Sequence, residues 1–283
     1  MSSDDEVGVV HLADNLEVLA RIPDESIDLV YIDPPFNTGR VQRNTQLLTV
    51  RDVDGDRTGF KGQRYRTTAV GTRAFVDRFD DFLGFLEPRI VELRRVLKAS
   101  GSLYFHIDYR EVHYCKVMID GVFGRASFLN EIIWAYDYGA RSKKKWPAKH
   151  DNILWYAKDP TAYWFDTSEV DRIAYLAPEL VGPEKAARGK LPTDTWWHTI
   201  VSPTGKEKLG YPTQKPLGVL RRIVRSSCPP GGIVLDVFAG SGTAGAAALE
   251  CGRRFALVDH NPEAFEVMRR RFAAQGDLVR FEP

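Results

Sequence analysis

The feature that most constrains the fold is a short apolar run that ends abruptly in an acid and two prolines. Residues 29–32 have the composition of a buried parallel strand, and Asp33, Pro34, Pro35 and Phe36 follow at once. Proline has no backbone N–H and restricts the residue before it, so the chain can neither continue the strand nor begin a helix here. The Asp33 carboxylate is therefore expected at the carboxyl end of a strand, where open α/β sheets bind their ligands.

Rigidly held acceptors beside a flat aromatic ring suit a planar base that carries an exocyclic amino group. A strand-ending turn capped by an aspartate is the plain alternative. On the residues of this stretch alone the two interpretations have about equal weight. The rest of the chain has to decide between them.

Length and composition bound the class of protein. A chain of 283 residues with 43% apolar residues suits one large domain, with or without an inserted subdomain. The sequence has neither the long apolar run of a membrane span nor a basic leader, so neither a span nor a signal peptide is expected. The cysteines (Cys115, Cys228 and Cys251) have no metal or redox spacing, so we expect reduced thiols, no metal site and a cytoplasmic protein.

The net charge of +1 gives no global sign of nucleic-acid binding, but the basic residues are unevenly distributed. Residues 40–73 hold eight basic residues against three acids, and residues 141–149 hold five basic residues, a tryptophan and no acid. Basic segments with an aromatic residue among them suit a phosphate backbone, although ordinary solvated loops share this composition. The candidate DNA contacts are Arg40, Arg43, Arg141, Lys143, Lys144 and Lys145.

Most of the chain alternates between strand and helix patterns, which predicts an α/β fold. The predicted strands are residues 7–12, 28–35, 102–107, 131–136, 152–157, 232–238 and 254–259. The predicted helices are residues 16–20, 82–97, 110–123, 217–226, 243–250 and 262–272. Strands 131–136 and 152–157 are expected to form an antiparallel edge on a mostly parallel sheet.

Two stretches interrupt this alternation. Residues 37–73 are rich in glycine, threonine, arginine and aspartate without a sustained period, which predicts a long surface loop that is functional or mobile. Residues 159–210 contain five prolines and several aromatic residues, and we interpret them as an inserted, loop-rich region. The predicted boundaries are therefore 1–158, 159–210 and 211–283, with the first and last parts forming one domain.

A second informative stretch combines a strand, a glycine-rich turn and a helix. Residues 234–238 form the strand and Gly240 and Gly242 the turn, which lets the backbone approach a ligand at a helix N-terminus. A further strand ends at Asp259, about one βαβ unit later, which suits a carboxylate that holds ribose hydroxyls.

The same turn also fits the G-x-G-x-x-G pattern of dinucleotide-binding enzymes, through Gly240, Gly242 and Gly245. A nicotinamide or flavin oxidoreductase is therefore one alternative. Asp236 counts against it, because a carboxylate would lie near the expected pyrophosphate. It suits the ammonium of an amino acid instead, and S-adenosylmethionine joins an adenosine to an amino-acid chain.

The chain resembles DNA amino-methyltransferases in the β arrangement, in which the catalytic segment precedes the cofactor-binding turn. Each matching piece is short, but the set is specific at this spacing and covers nearly the whole chain outside 40–75 and 159–205. The matching pieces, in family order, are Asp14-Asn15, Asp33-Pro34-Pro35-Phe36, residues 95–104, His106-Ile107-Asp108, residues 211–216, residues 238–243 and Asp259.

The resemblance implies a Rossmann-like, seven-stranded, mostly parallel methyltransferase sheet with helices on both faces and a circularly permuted motif order. Residues 159–210 would form the target-recognition region, and residues 37–73 a loop that orders on DNA. S-adenosylmethionine is the implied cofactor.

The resemblance also assigns roles to residues. Asp33 and the Pro34 carbonyl would accept hydrogen bonds from the target amine, in a catalytic segment that includes Pro35, and Phe36 would stack on the flipped base. Phe36 stands where the family more often has tyrosine. The implied cofactor site comprises Asp14 at the adenine amino group, Asn15, Asp33, Lys215 at the methionine carboxylate, Asp236, Phe238, Ala239, Gly240, Ser241, Gly242, Thr243, Asp259 at the ribose, and His260.

The resulting hypothesis is a methyltransferase that modifies an exocyclic amine of DNA. Adenine N6 is favoured and cytosine N4 stays open. Two other classes remain as alternatives, a non-catalytic DNA-binding subunit and the dinucleotide oxidoreductase. The expected partners are double-stranded DNA, a cognate restriction endonuclease and a second copy of the chain in a homodimer.

Four further residues also have testable interpretations. His106 is expected to be a structural hydrogen-bonding residue rather than a base. For Asp108, at a strand end, a role in the site and a structural role have about equal weight. Of Trp196 and Trp197, at least one is expected in the core.

Overall fold

The computed structural model describes residues 6–37, 40–51, 54, 57–58, 64–77, 79–139, 141–202 and 205–283, with only the backbone of most residues between 40 and 77. The chain separates into two compact units. The first comprises Met1–Pro34 with Leu83–Pro283, and the second Pro35–Phe82.

The described strands are, in chain order, β1 (Gly8–Leu12), β2 (Ile27–Ile32), β3 (Arg40–Arg51), β4 (Arg57–Thr58), β5 (Arg64–Asp77), β6 (Leu97–Ile107), β7 (Phe128–Ala135), β8 (His150–Ala157), β9 (Thr195–Trp197), β10 (Ile233–Asp236), β11 (Arg254–Asp259) and β12 (Val279–Glu282). The described helices are α1 (Asn15–Leu19), α2 (Phe82–Val96), α3 (Val112–Phe123), α4 (Pro183–Arg188), α5 (Leu217–Ser227), α6 (Thr243–Glu250) and α7 (Pro262–Arg271).

The first unit is built on one sheet with the order β12-β1-β11-β10-β2-β6-β8-β7-β9. β8 runs antiparallel to both of its neighbours, and every other pair in this sheet is parallel. The predicted α/β class, the mostly parallel sheet and the antiparallel strand pair are confirmed. Nine described strands replace the expected seven. The additional β9 and β12 are too short for periodicity to identify.

β2 occupies a central position in this sheet, and all six of its residues are buried. Its acidic residue, Asp28, is compensated, because it accepts hydrogen bonds from the Lys98 ammonium at 2.8 Å and from the Ile233 backbone N–H at 2.9 Å. The second hydrogen bond ties the beginning of β2 to β10, two strands that lie about two hundred residues apart in the chain.

The second unit corrects the prediction of a long irregular loop over residues 37–73. Its described residues include the three-stranded antiparallel sheet β3-β5-β4, in which β3 pairs with β5 along its whole length. The threonines and valines of these strands favour extended backbone, but the segment lacks the apolar alternation that identifies a half-buried strand. A ladder of this kind is held mainly by backbone hydrogen bonds, which leave no period in the sequence.

Residues 159–210 are not a separate compact unit, so the predicted boundaries differ from those of the structure. Backbone hydrogen bonds of 2.9 Å join Trp164 to Ser100 and Asp166 to Ser226. Within this region Trp196 is 7% exposed and Trp197 is 72% exposed, which confirms that one of the two tryptophans belongs to the core. Among the described helices none is long and apolar enough to cross a membrane.

Candidate active site

The site lies at the carboxyl ends of two adjacent parallel strands. β2 and β10 pair in the register Val234 to Leu29 and Leu235 to Val30. Asp236 is the last residue of β10, and Asp33 follows directly after β2. The two prolines after Asp33 end the strand, and the turn after Asp236 leads into α6, so both carboxylates stand at the same edge of the sheet.

Asp33 has two oxygens in different surroundings. Oδ2 accepts a hydrogen bond from the ammonium of Lys215. Oδ1 is buried and has no hydrogen-bond partner among the described residues, and Nδ1 of His106 lies 3.8 Å from it. The side chain is 17% exposed. This carboxylate therefore retains an unused acceptor within the site.

Lys215 connects Asp33 to the glycine-rich turn. Its side chain binds Asp33, and its carbonyl accepts a hydrogen bond of 3.3 Å from the Thr243 hydroxyl, at the start of α6. The side chain of the neighbouring Gln214 instead binds Leu209 and Glu207 within its own loop. Of the two side chains, only that of Lys215 reaches the Asp33 carboxylate.

The turn between β10 and α6 depends on two glycines with positive φ. Gly240, with φ of 52°, donates its N–H to Oδ2 of Asp259 at 2.8 Å. Gly242 has φ of 74°, and a Cβ at this position would lie 2.9 Å from Met268. The left-handed backbone and the close contact both favour glycine at these positions.

The carboxylates of this turn are held by backbone N–H groups. Asp236 accepts a hydrogen bond of 3.0 Å from Phe238 N–H, and Asp259 accepts one of 2.9 Å from Asn261 N–H besides that of Gly240. Burial, followed by the charges of Asp33 and Asp259, raises the pKa of Asp236 well above its ordinary value. Burial likewise raises the pKa of Asp259. The site carries an excess of negative potential that a cationic ligand would relieve.

Asn15 contacts this turn directly, and Asp14 is linked to it through an arginine and Asn15. Asp14 caps α1, and its Oδ2 lies 3.5 Å from the Arg89 guanidinium. Arg89 also donates to the Asn15 side chain at 2.7 Å, and Asn15 donates to the carbonyl of Val237 at 3.2 Å.

Arg89 and Phe85, one helical turn apart on α2, were not identified from the sequence. The Arg89 guanidinium lies 3.8 Å from the centre of the Phe85 ring, whose own centre is 6.2 Å from that of Phe238. Their i, i+4 spacing places them on one helix face. The sequence alone does not show that this face borders the Phe238 turn.

The remaining residues of the expected cofactor site surround the same turn. Ala239 and Ser241 are buried, and the Ser241 and Thr243 hydroxyls lie 3.1 Å apart. His260 has an exposed side chain beside Asp259. Tyr211 was not assigned a role, yet its ring edge lies 3.2 Å from where a Cβ on Gly240 would stand.

The family model described as DNA methylase matches residues 27–270 of this chain. The chain belongs to the DNA methylase family. This membership confirms the predicted enzyme class, an S-adenosylmethionine-dependent DNA methyltransferase that acts on adenine N6 or cytosine N4.

Several known proteins are similar to this methylase. The DNA adenine methyltransferase YhdJ of Escherichia coli (strain K12) is 30% identical over 271 residues, which cover 93% of this chain and 81% of that protein. The cytosine-N4-specific PvuII DNA methyltransferase has a similar fold, with a TM-score of 0.63, 18% identity, and coverage of 94% of this chain and 86% of that one. The complex of M1.HpyAVI with SAM has a TM-score of 0.60, 20% identity, and coverage of 94% and 98%.

The rest of the expected catalytic segment of the methylase is divided between the two units. Pro34 is buried in the first unit, whereas Pro35 and Phe36 belong to the second. The roles predicted for Pro34, Pro35 and Phe36 therefore stay predictions.

At the end of the neighbouring strand, β6, His106 and Asp108 differ from one another. His106 is fully buried and hydrogen-bonded, as expected of a structural residue. The Asp108 carboxylate accepts hydrogen bonds from the backbone and the side chain of Arg110. This contact fits a residue that caps the turn before α3, and a role of Asp108 in the site stays a prediction.

One of the predicted DNA-binding segments lies at the same edge of the sheet. β7 runs parallel to β6, so the segment between β7 and β8 begins at the carboxyl ends of the strands. Trp146 in this segment is 95% exposed. The basic residues around it are also exposed, and in the described part of the chain none of them has an ion pair; they are Arg141, Lys143, Lys144 and Lys145. Arg40 and Arg43 lie on β3, and their side chains are outside the described part.

Proposed function

We propose that this methylase transfers a methyl group to N6 of adenine in double-stranded DNA. The observation that carries the proposal is the position of Asp33, which follows a central strand beside the acidic glycine-rich turn and keeps one buried oxygen that no donor of the described residues reaches. An exocyclic amine offers the N–H donors that this oxygen lacks.

The residues at the strand ends fit S-adenosylmethionine, which supplies a methyl group on a positively charged sulfur when bound. Asp236 and Asp259 are buried carboxylates, and burial raises the pKa of each. The positive charge of the cofactor's ammonium and sulfonium would favour their ionised forms. Asp14, which is linked to the same turn through Arg89 and Asn15, would bind the adenine amino group.

The chain's contribution to the reaction is to hold and polarise the target amine. The lone pair of an exocyclic amine is delocalised into the ring, so the nitrogen is a poor nucleophile. Acceptors on both N–H bonds, Asp33 and the Pro34 carbonyl, favour a pyramidal nitrogen whose lone pair faces the methyl group. Asp33 would also be the nearest acceptor for the proton that the nitrogen must lose.

The target base must leave the duplex to reach a buried carboxylate, which costs a few kcal/mol. The family resemblance implies that the ring of Phe36, three residues after Asp33 in the chain, would stack on that base. The exposed segment at residues 141–149 would contact phosphates with its lysines and a base or sugar with Trp146. Residues 159–210 would contribute the sequence-specific contacts.

Adenine is favoured over cytosine because the relative at 30% identity is named a DNA adenine methyltransferase. Cytosine N4 is the second candidate, since the PvuII enzyme of similar fold is cytosine-N4-specific. A cognate endonuclease, a homodimer and a cytoplasmic location remain predictions from the resemblance and the cysteine pattern.

The test is transfer of a labelled methyl group to unmethylated genomic DNA, followed by nucleoside mass spectrometry. We expect N6-methyldeoxyadenosine in the reaction with wild-type protein. N4-methyldeoxycytidine instead would overturn the choice of base. Calorimetric binding of S-adenosylmethionine without transfer to any DNA would indicate a non-catalytic subunit, and thermal stabilisation by nicotinamide cofactors alone would indicate an oxidoreductase.

A further inference from the structure

A buried polar network lies next to Asp33, and none of its members has a role in the methyl transfer proposed above. It runs across four adjacent strands of the sheet. Its members are Tyr31 on β2, His106 on β6, Asp151 on β8, and Tyr136 just after β7. Tyr31, His106 and Asp151 are all buried. Because a buried polar group is costly unless it is paired, the pairing within this network has consequences for its neighbours.

The hydrogen-bond distances show which members of the network contact one another. Nε2 of His106 lies 3.3 Å from Asp151 Oδ2, and the Tyr136 hydroxyl donates to Asp151 Oδ1 at 3.0 Å. On the other side of the ring, Nδ1 of His106 lies 2.7 Å from the Tyr31 hydroxyl. The Trp134 ring packs edge-on against His106 at 5.6 Å, which fixes the plane of the imidazole.

The charge of Asp151 determines which nitrogen carries the proton. Although burial raises the pKa of Asp151, the hydrogen bond and charge of His106 and the ammonium of Lys215 hold it below its ordinary value. An ionised carboxylate only accepts hydrogen bonds, so Nε2 of His106 donates to it. In the neutral ring Nδ1 is then an acceptor, and the Tyr31 hydroxyl donates to it.

This arrangement has a consequence for Asp33. Nδ1 of His106, which lies 2.7 Å from the Tyr31 hydroxyl, is also 3.8 Å from Oδ1 of Asp33, so the hydroxyl and this oxygen flank the same ring atom. The charge of Asp33 also raises the pKa of Tyr31, after the larger effect of burial. A phenol near a carboxylate would ordinarily donate a hydrogen bond to it. Here the hydroxyl is directed to His106, and Oδ1 of Asp33 has no donor among the described residues.

We propose that Asp151, His106 and Tyr31 are positioning residues that keep one oxygen of Asp33 free of internal donors, so that it accepts the N–H of the target amine. Asp151 sets the tautomer of His106, and His106 engages the Tyr31 hydroxyl. The inference rests on the proposed function of Asp33. None of the three residues touches the reacting atoms.

The isosteric variant Asp151→Asn tests the chain of hydrogen bonds. An asparagine amide can donate to Nε2, which moves the ring proton to Nδ1 and turns the Tyr31 hydroxyl away from His106 towards Asp33. We expect kcat for methyl transfer to fall on the order of 10- to 100-fold, the range for a lost hydrogen bond to a charged group. The calorimetric affinity for S-adenosylmethionine should stay within about threefold of wild type, since no positioning residue is proposed to contact it.

Adding Tyr31→Phe to the Asp151→Asn variant distinguishes a positioning role of the network from a purely structural one. In the Asp151→Asn background it removes the misdirected donor, so most of the lost kcat should return even though the fold loses a further hydrogen bond. If the network only supported the fold, the double variant would be less active than Asp151→Asn. His106→Phe with and without Tyr31→Phe repeats the test through a different residue. Failure of both double variants to recover activity would overturn the proposal.

The ring tautomer offers a readout that needs no activity. Nitrogen-15 chemical shifts of His106 in the protein without cofactor or DNA should report a proton on Nε2 alone, and on Nδ1 in Asp151→Asn. A proton on Nδ1 in wild type would contradict the inference even if methyl transfer is confirmed. Conversely, wild-type protein that methylates no DNA would sink the proposed function and leave the tautomer result unaffected.

Asp120→Asn is the matched control. Asp120 is also a carboxylate that accepts a tyrosine hydroxyl, from Tyr156 at 2.7 Å, but it lies on α3 and takes no part in the site. Its kcat should match wild type, and thermal melts of both asparagine variants would show equal folding. A loss of kcat in Asp120→Asn as large as that in Asp151→Asn would overturn the positioning role.

Discussion

The two strand ends that form the site hold their carboxylates in different ways. After β10, Asp236 and Asp259 accept hydrogen bonds from the backbone N–H groups of Phe238, Gly240 and Asn261. After β2, Asp33 accepts a hydrogen bond from the side chain of Lys215, and its other oxygen has no partner among the described residues.

This difference separates a fixed half of the site, the cofactor half after β10, from an adjustable half, the Asp33 half after β2. Backbone donors move only if the turn itself moves, so the cofactor half is set by the fold before any ligand binds. A lysine side chain has several rotatable bonds and can change partners, so the charge next to Asp33 can change when ligands bind. The cofactor half should therefore control affinity for S-adenosylmethionine, and the Asp33 half should control the rate of transfer.

The largest expected effect is at Asp33. Asp33→Asn replaces one accepting oxygen with an amide that has its own N–H donors, so the target amine loses an acceptor in the transition state. We expect kcat to fall on the order of 1,000-fold, as for removal of one preorganised polar group. Rapid-quench transfer assays would measure it. The matched control is Asp108→Asn, at the end of the adjacent strand β6, whose carboxylate is engaged by Arg110 and should not affect kcat.

The direct binding of S-adenosylmethionine to Asp33→Asn decides whether the comparison holds. Affinity within about tenfold of wild type would place Asp33 in the rate-controlling half. A loss of affinity as large as the loss of kcat would break the separation between the two halves.

The next effect in size is at Asp236, on the cofactor side. Asp236→Asn keeps the acceptor for Phe238 N–H but removes the charge that would pair with the cofactor's ammonium. We expect calorimetric affinity for S-adenosylmethionine to fall about 10- to 100-fold, as for hydrogen bonds to charged groups. The kcat at saturating cofactor should change far less. The opposite pattern, with intact affinity and a lost kcat, would reverse the assignment.

For Asp236→Asn we also predict how the change in melting temperature depends on pH. The pKa of Asp236 is higher in the folded protein than in the unfolded chain. Its neutral form therefore contributes stability at pH values below the ordinary aspartate pKa, and this contribution is lost as the pH rises through the raised pKa. Without ligand, Asp236→Asn should therefore raise the melting temperature more at pH 8 than at pH 5. Equal shifts at both values would mean that burial does not destabilise the ionised form.

Much of the fixed half was predictable from the sequence, because its determinants are local. Two glycines between a strand and a helix, with acids at two strand ends, already specify the turn at Gly240. The adjustable half was less predictable. The contact of Lys215 with Asp33 joins residues that are 182 positions apart, and no pattern in either segment shows which oxygen is bound.

What the sequence did not show has a related cause. Asp108 follows a strand, as Asp33 does, and no pattern in the sequence shows that Arg110 engages its carboxylate. The β3–β5 sheet was missed because strands without an alternating apolar face leave no period to detect. Sequence patterns report burial well, whereas the partners of polar side chains depend on distant parts of the chain.

The smallest expected effect concerns DNA rather than either half of the site. Exchanging Lys143, Lys144 and Lys145 together for glutamine removes three exposed charges at the sheet edge where both halves meet. If these lysines contact phosphates, KM for DNA should rise about tenfold and the slope of log affinity against log salt should fall by about 2 to 3. The kcat and the affinity for S-adenosylmethionine should stay unchanged, because no phosphate contact alters the transition state.

Arg94→Gln with Arg254→Gln is the control, since both arginines are exposed where β6 and β11 begin, at the opposite edge. An equal loss of DNA affinity in the control would mean that the effect follows from total charge rather than from this edge, and DNA would then have to be placed elsewhere on the methylase.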